Sequence, residues 1–504
     1  MTNISKVVML TLLCLGLYSA NNFAESQTPN QESNQPAYLK PITPDKLKED
    51  LDFLFKTIEE VHPNMHAYTS KEEFDPLQKQ LYKSVNHPMN RIEFYKLTSP
   101  VVASLKNGHT FIGPPFIDFQ EYAKKGGKIF SLGLYCDEES VILSDYYGPL
   151  DLSTGVEVLT IDNQNAKEFL IKTAKYFAAE GKTYNLAVPQ RKGWLSMFLL
   201  LEKGNVESLM LKVKTNDGEV KTYDIKALGY EELKNYQKKK VNKAESKSKS
   251  TSKPENQWYS YRYIQEYDTG LIEFNMFYDM KQFKKFLKET FTKIRDQNVS
   301  SLIIDIRKNP GGNSSLGDEL LKYLTDKPFR QFEKVQIKIS PQLFKAQSGL
   351  KKLFPDAAIG STVTNEGEFK KPQDNPLRFK GRVFTLIGPK SASSSVSFAS
   401  AVKHFQIGTL IGQETVDTPV SYGDCIYEVL PSSGLRFSTA CKHFVEAGGK
   451  PDGRGLLPDY KVRQKTQDTT NNVDTVLQFT LNLVKSGDPL LNNDKEKVGR
   501  LPKI

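Results

Sequence analysis

Val383-Phe384-Thr385-Leu386-Ile387-Gly388-Pro389-Lys390-Ser391-Ala392-Ser393-Ser394-Ser395-Val396-Ser397-Phe398-Ala399 is the stretch from which the fold is read. Its first five residues are an apolar β run, and Gly388-Pro389-Lys390 closes it. Val396, Ala399, Val402 and Phe405 then recur at helical spacing, so the serines stand where a strand hands over to a helix. A hydroxyl placed there lies at the C-terminal edge of a sheet and near the positive end of a helix dipole. An oxyanion forming beside it would meet unpaired backbone N–H groups. Taken alone, the run reads first as a serine-rich helix cap.

From Trp258 onward, strand and helix patterns alternate. Leu271-Ile272-Glu273-Phe274 reads as a strand, and Phe283, Phe286, Leu287, Phe291 and Ile294 as one face of a helix. Leu302-Ile303-Ile304-Asp305-Ile306 reads as a buried strand, Leu316, Leu320, Leu321 and Leu324 as a second helix, and Thr409-Leu410-Ile411 as another strand. That order predicts a largely parallel sheet covered by helices, with residues 327–380 as an irregular lid or insertion. Asp305-Ile306-Arg307-Lys308-Asn309-Pro310-Gly311-Gly312-Asn313 follows the buried strand. Pro310-Gly311-Gly312 brings backbone N–H groups into a tight turn with no side chain in the way, which suits an oxyanion hole or a phosphate cradle. The spacing is neither that of a P-loop nor that of a dinucleotide fingerprint.

A chain of 504 residues exceeds a single core, and two or three domains are expected. With 38% hydrophobic and 25% charged residues it is neither a disordered chain nor a membrane bundle. Of the net charge of +10, a surplus of seven falls between Lys234 and Lys253, where eight lysines face only Glu245, leaving +3 elsewhere. A basicity confined to one polar segment does not make a nucleic-acid groove. Residues 1–24 read as a secretory signal, from Lys6 through an apolar centre to Asn22-Phe23-Ala24, and no other run is long enough to cross a bilayer. Export is therefore expected, with Cys14 removed and without stable membrane insertion afterwards.

Residues 25–38 read as a disordered tether, and 39–110 as a helical region carrying Leu47, Leu51, Leu54, Ile58 and Val61 on one face. Residues 111–233 are β-rich, and 234–257 read as a disordered Lys/Ser-rich linker. The strand–helix alternation occupies 258–485, ahead of a tail at 486–504. Pro431-Ser432-Ser433-Gly434 predicts a hairpin between flanks beginning at Cys425 and ending near Cys441, so a cross-strand disulfide between Cys425 and Cys441 is open if the register permits. Cys136 reads as a buried apolar residue. His62 and His66, four apart, are a weak metal hint that the intervening Pro63 undermines.

Asp305 to Gly312 resembles the D-x-R-x-N-P-G-G signature of the family-41 serine peptidases, the tail-specific or C-terminal processing proteases. The serine run resembles the family's nucleophile segment, Asn107-Gly108-His109-Thr110 the D-G-H-T turn of its tricorn-like members, and Gly455-Leu456-Leu457-Pro458-Asp459 their closing G-V-x-P-D. The resemblance implies an α/β fold: a crotonase/ClpP-like catalytic domain with an N-terminal helical region and a β-rich, PDZ-like domain that binds extended peptide. It also implies an exported serine-type peptidase acting through an acyl-enzyme on protein or peptide substrates, without metal or organic cofactor. Carried over by motif, the nucleophile is Ser393, with Ser391, Ser394 and Ser395 as rivals. His109 is the base and Asp452 the acid, with Glu446 and Asp424 as fallbacks. The oxyanion donors are Ser394 and Gly311 or Gly312. No lysine lies between Lys403 and Lys442, which disfavours the family's serine–lysine design. Two positions depart from the pattern: Val396 replaces an acidic residue and Asp452 a glutamate. A member that binds peptide or hydrophobic ligand without cleaving it, or an esterase or amidase, would carry the same motifs.

Overall fold

The computed structural model describes residues 39–136, 140–183, 195–245, 258–464, 468 and 473–487. The signal, the tether, Cys14, residues 246–257 of the linker and the tail beyond 487 lie outside the described residues. Among those described, no helix is long and apolar enough to cross a membrane.

The central sheet is built from the runs of branched apolar residues. Thr269–Phe274, Ser301–Asp305, Arg382–Ile387, Thr409–Gly412 and Tyr460–Lys461 are mutually parallel, and Tyr259–Ile264 adds an antiparallel edge on Thr269–Phe274. Four of the five residues of Ser301–Asp305 are buried, as expected for a strand covered on both faces. One face packs Phe283, Leu287 and Phe291 of the helix Met280–Asp296 with Phe398 and Val402 of the helix Ser394–His404. The other is closed by Val476, Leu481 and Val484 of the helix Thr475–Ser486. The expected α/β catalytic layer is therefore present, and the C-termini of its five parallel strands point to the edge that carries the serine run.

A second sheet stands over that edge. Its backbone is the hairpin of Val420–Val429 and Arg436–Glu446, and Phe111–Ile112 and Phe332–Lys338 both add to the other edge of the second strand, one near each of its ends. Residues 327–380 are thus more regular than the sequence suggested. Phe332–Lys338 and Thr362–Glu366 pair antiparallel, with two short helices, Pro341–Ala346 and Ser348–Leu353, between them. The N-terminal helices Pro44–Val61, Lys71–Ser84 and Arg91–Ala103 pack on the same hairpin. Leu47, Leu51, Leu54, Phe94 and Val102 share one core with Leu430, Leu435 and Phe437. Asp50, fully buried, accepts the N–H groups of Ser432 and Ser433 at 2.7 and 2.8 Å, tying the first helix to the hairpin turn.

The β-rich region is an antiparallel sheet of Leu132–Cys136, Val141–Tyr146, Glu157–Ile161, Ser208–Lys214 and Val220–Lys226 with its own core, including Leu143, Val158 and Leu211. The first part of the expected linker is instead helical, Tyr230–Glu245. Glu231 and Glu232 sit in its first turn and the lysines follow, an order that suits the helix dipole. Leu233 and Tyr236 also find apolar partners in Ala123, Ile129 and Leu228.

The disulfide expectation is corrected. Cys425 and Cys441 are both free, because Cys425 lies opposite Ala440 and the ladder keeps that register from Val420↔Val445 to Val429↔Arg436. A one-residue offset sends the two side chains to opposite faces of the hairpin. The Cys441 thiol donates to the Asp424 carbonyl at 2.6 Å instead. Cys136 is buried, as read.

Candidate active site

The serine run and the glycine turn are stitched together side chain by backbone. Ser391 Oγ donates to the Ile306 carbonyl at 2.9 Å, Ser395 Oγ to Asn309 at 2.7 Å, and Ser394 Oγ to Gly312 at 2.6 Å. Those three serines are buried and committed to structure. Among the described residues, the Ser393 hydroxyl has no such partner, and Ser393 is only half-buried. Its backbone is at φ 51°, ψ −124°, immediately before the helix Ser394–His404. A non-glycine residue costs about 1–3 kcal/mol in such a region and persists only where its surroundings fix it, commonly at an active site. A strained strand-to-helix turn of this kind lifts a serine hydroxyl clear of the sheet.

The glycine turn is fixed by the rest of its motif. Asn309, fully buried, donates through Nδ2 to the Phe274 carbonyl at 2.8 Å and accepts the Gly311 N–H at 2.9 Å. Arg307 bridges Asp305 and Asp474 with 2.6 Å contacts to each. Burial opposes the Arg307 charge, but hydrogen bonds to Asp474 and Asp305 hold its pKa above the ordinary value. Gly311 is at φ 106°, and a Cβ there would stand 2.8 Å from Ser393 Cβ, so only glycine lets the turn approach the serine. The oxyanion expectation narrows accordingly. The Gly311 N–H is already used by Asn309, whereas among the described residues the N–H groups of Gly312 and Ser394 have no acceptor.

His109 is delivered by the second sheet. Phe111–Ile112 pairs with Arg436–Glu446, Ser438 Oγ donates to the His109 carbonyl at 2.8 Å, and Thr110 Oγ1 accepts the Ala440 N–H at 3.2 Å. Its ring faces two acids that the sequence reading missed. One atom each of His109, Glu180 and Asp417 lie within 4.8 Å of one another. Asp417 Oδ2 also accepts the Ser393 N–H at 2.7 Å, so this carboxylate joins the histidine to the serine. Glu180 is 1% exposed and anchors the histidine turn, accepting Asn107 Nδ2 at 2.9 Å, the Gly108 N–H at 2.7 Å and the Tyr422 N–H at 3.2 Å. Burial, and then the Asp417 charge beside it, push the Glu180 carboxyl above the usual range. Among the described residues, His109 Nδ1 is buried without a hydrogen-bond partner.

Asp452 does not join this group. The carbonyl of Gly453 accepts the Lys182 N–H at 2.7 Å, so that loop packs through its backbone and leaves the Asp452 side chain exposed, bonded to the Arg454 N–H at 2.9 Å. Of the fallbacks, Asp424 pairs with Lys442 at the hairpin surface. Glu446 is buried beneath the nucleophile helix, accepting Ser397 and Ser400 hydroxyls at 2.7 and 2.8 Å, and burial pushes its carboxyl well above the usual range. Val396 is fully buried in the core, so the departure there is a packing choice. The His62/His66 metal hint also fails. His62 Nδ1 accepts the Asn64 N–H at 3.1 Å, and burial pushes its imidazole down to about 3.

Asp417 had no local signal, standing 24 residues after Ser393 with nothing in the sequence to mark it. Glu180 had none, being brought to Gly108 from 72 residues away. The arrangement offers a free hydroxyl on a strained turn, two unused N–H donors beside it, and an imidazole backed by buried carboxylates.

The fold has counterparts among known proteins. The family model for Peptidase family S41 matches residues 268–462. The solved structure of mature CPAF complexed with lactacystin is similar at 13% identity and a TM-score of 0.60, covering 89% of this chain and all of that one. Mature CPAF alone gives 14% identity and a TM-score of 0.59, over 90% of this chain and 99% of that one. Among curated proteins, none matches.

Proposed function

We propose that the chain is an exported serine endopeptidase of peptidase family S41, whose model matches residues 268–462, with Ser393 as nucleophile and His109 as general base. Asp417 is the acid that faces the imidazole, in place of Asp452, and Glu180 holds the turn that carries His109. The observation that carries this reading is the state of Ser393. Among the described residues it is the one serine of the run with an unbound hydroxyl, it is held at positive φ, and the N–H groups of Gly312 in the adjoining turn and of the next residue, Ser394, are unused.

In the reaction, Ser393 Oγ passes its proton to a His109 ring nitrogen and attacks the scissile carbonyl carbon. The oxygen that becomes negative is met by the Gly312 and Ser394 N–H groups, each worth about 3 kcal/mol to the transition state. Collapse of the tetrahedral species breaks the C–N bond, and the departing amine takes the proton from His109. Water, deprotonated by the same ring, then releases the acyl group from Ser393. Asp417 stabilises the protonated imidazole throughout. The antiparallel β-rich sheet, whose edge strand Val220–Lys226 is paired on one side only among the described residues, would receive extended peptide by strand addition, as PDZ modules do.

The test is hydrolysis of a quenched-fluorescent peptide mixture by protein lacking residues 1–24. Turnover that Ser393→Ala abolishes, and that exceeds turnover of a simple ester at equal concentration, supports the reading. Ester turnover without peptide turnover would make the protein an esterase. Peptide binding without any turnover would make it a binding protein.

A further inference from the structure

The acid–histidine group has the chemistry of a cation site as well as of a catalytic one. Among the described residues, His109, Glu180 and Asp417 are the one set of three ligating side chains brought this close. They come from three separate segments: the turn before Phe111–Ile112, the loop after the helix Ala166–Thr173, and the loop leading into Val420–Val429. Both carboxylates are buried, Glu180 at 1% and Asp417 at 6% exposure. Asp417 Oδ2 accepts one N–H, while its Oδ1 accepts no hydrogen bond among the described residues. His109 Nδ1, also buried, has no partner either. Two adjacent buried carboxylates without a cation between them repel, and a divalent ion removes that repulsion while using the imidazole lone pair.

The reach is right. Tetrahedral ligands bound at about 2.0–2.2 Å stand about 3.3–3.6 Å apart, so a group spread over no more than 4.8 Å closes on one with side-chain shifts of about an ångström. One nitrogen and two oxygens suit zinc better than magnesium or calcium, which take oxygen ligands. Three protein ligands leave a position open for water or for the Ser393 hydroxyl.

We propose that His109, Glu180 and Asp417 form an inhibitory zinc site, in which the ion withdraws the imidazole from Ser393 and silences the peptidase reversibly. The inhibition rests on the function proposed above, whereas the binding does not.

The test separates the two. Equilibrium dialysis of zinc chloride against the full chain carrying Ser393→Ala, which keeps all three ligands, should show one zinc per chain. Adding Asp417→Asn or Glu180→Gln to that variant should weaken uptake at least tenfold, and His443→Ala, which alters a histidine outside the group, should leave it unchanged. Circular dichroism and thermal melts establish that each variant is folded. In the wild-type protein, peptide hydrolysis measured in EDTA should fall as zinc is added over the concentration range of uptake, and millimolar magnesium should not reproduce the loss. Hydrolysis in EDTA with no stoichiometric uptake, or uptake indifferent to both acid substitutions, overturns the zinc site and leaves the peptidase standing. Uptake that obeys the ligand substitutions without hydrolysis in EDTA overturns the peptidase and keeps the binding site.

Discussion

The two halves of the candidate site are built on opposite principles. On the nucleophile side the side chains around the functional groups are bonded: Ser391, Ser394 and Ser395 to carbonyls of the 306–312 segment, Asn309 to Phe274 and Gly311, Arg307 to two carboxylates. On the base side, buried charge and unpartnered nitrogen are tolerated, with Glu180 and Asp417 pressed together and His109 Nδ1 unbound. The first half is a rigid mould for a tetrahedral intermediate. The second leaves a buried ring nitrogen without a hydrogen-bond partner among the described residues. Rigidity holds the oxyanion donors and strain holds the hydroxyl.

The contrast can be broken at several points. Ser393→Ala should give the largest effect, about ten-thousandfold or more in kcat with a melting temperature near that of the wild type, because only the reacting atom is removed. Asp417→Asn should cost about a thousandfold in kcat, whereas Asp452→Asn should stay within about threefold; the reverse ranking in steady-state kinetics would move the acid back to the exposed loop. Glu446→Ala should instead act on stability. It leaves the Ser397 and Ser400 hydroxyls buried without acceptors, and denaturant titration should report a loss of about 2–4 kcal/mol. Glu446→Gln, which keeps an acceptor, should recover much of that.

The smallest effect sharpens the base side. His62 is buried and neutral with a pKa lowered to about 3, so between that value and its unfolded value of 6.5 the unfolded chain binds the extra proton. Its contribution is fully present above pH 6.5 and falls by about 1.4 kcal/mol per pH unit below it. Urea midpoints from pH 7 to 5 should show that slope, and His62→Gln should flatten it.

Much of the catalytic layer was legible because its signals are local. The run around Ile303 and the one around Phe384 are apolar on both faces, the mark of buried parallel strands, and the helix Met280–Asp296 repeats Phe283, Leu287 and Phe291 at one-turn spacing. The nucleophile turn was equally local. What escaped depends on distant partners. Phe332–Lys338 is a strand because Arg436–Glu446 offers it an edge, and nothing between 327 and 380 announces that edge. The cysteines failed by a single residue of register, which no turn signal resolves. Glu180 and Asp417 look like any surface acids in the sequence, and only their burial against His109 distinguishes them.

The most direct measurement is covalent labelling with a fluorophosphonate probe, the modified residue located by peptide mass spectrometry. The account predicts a single adduct on Ser393, lost in Ser393→Ala and slowed at least a hundredfold in His109→Ala. An adduct on Ser391, Ser394 or Ser395, or labelling of Ser393 at an unchanged rate without the His109 imidazole, would contradict it.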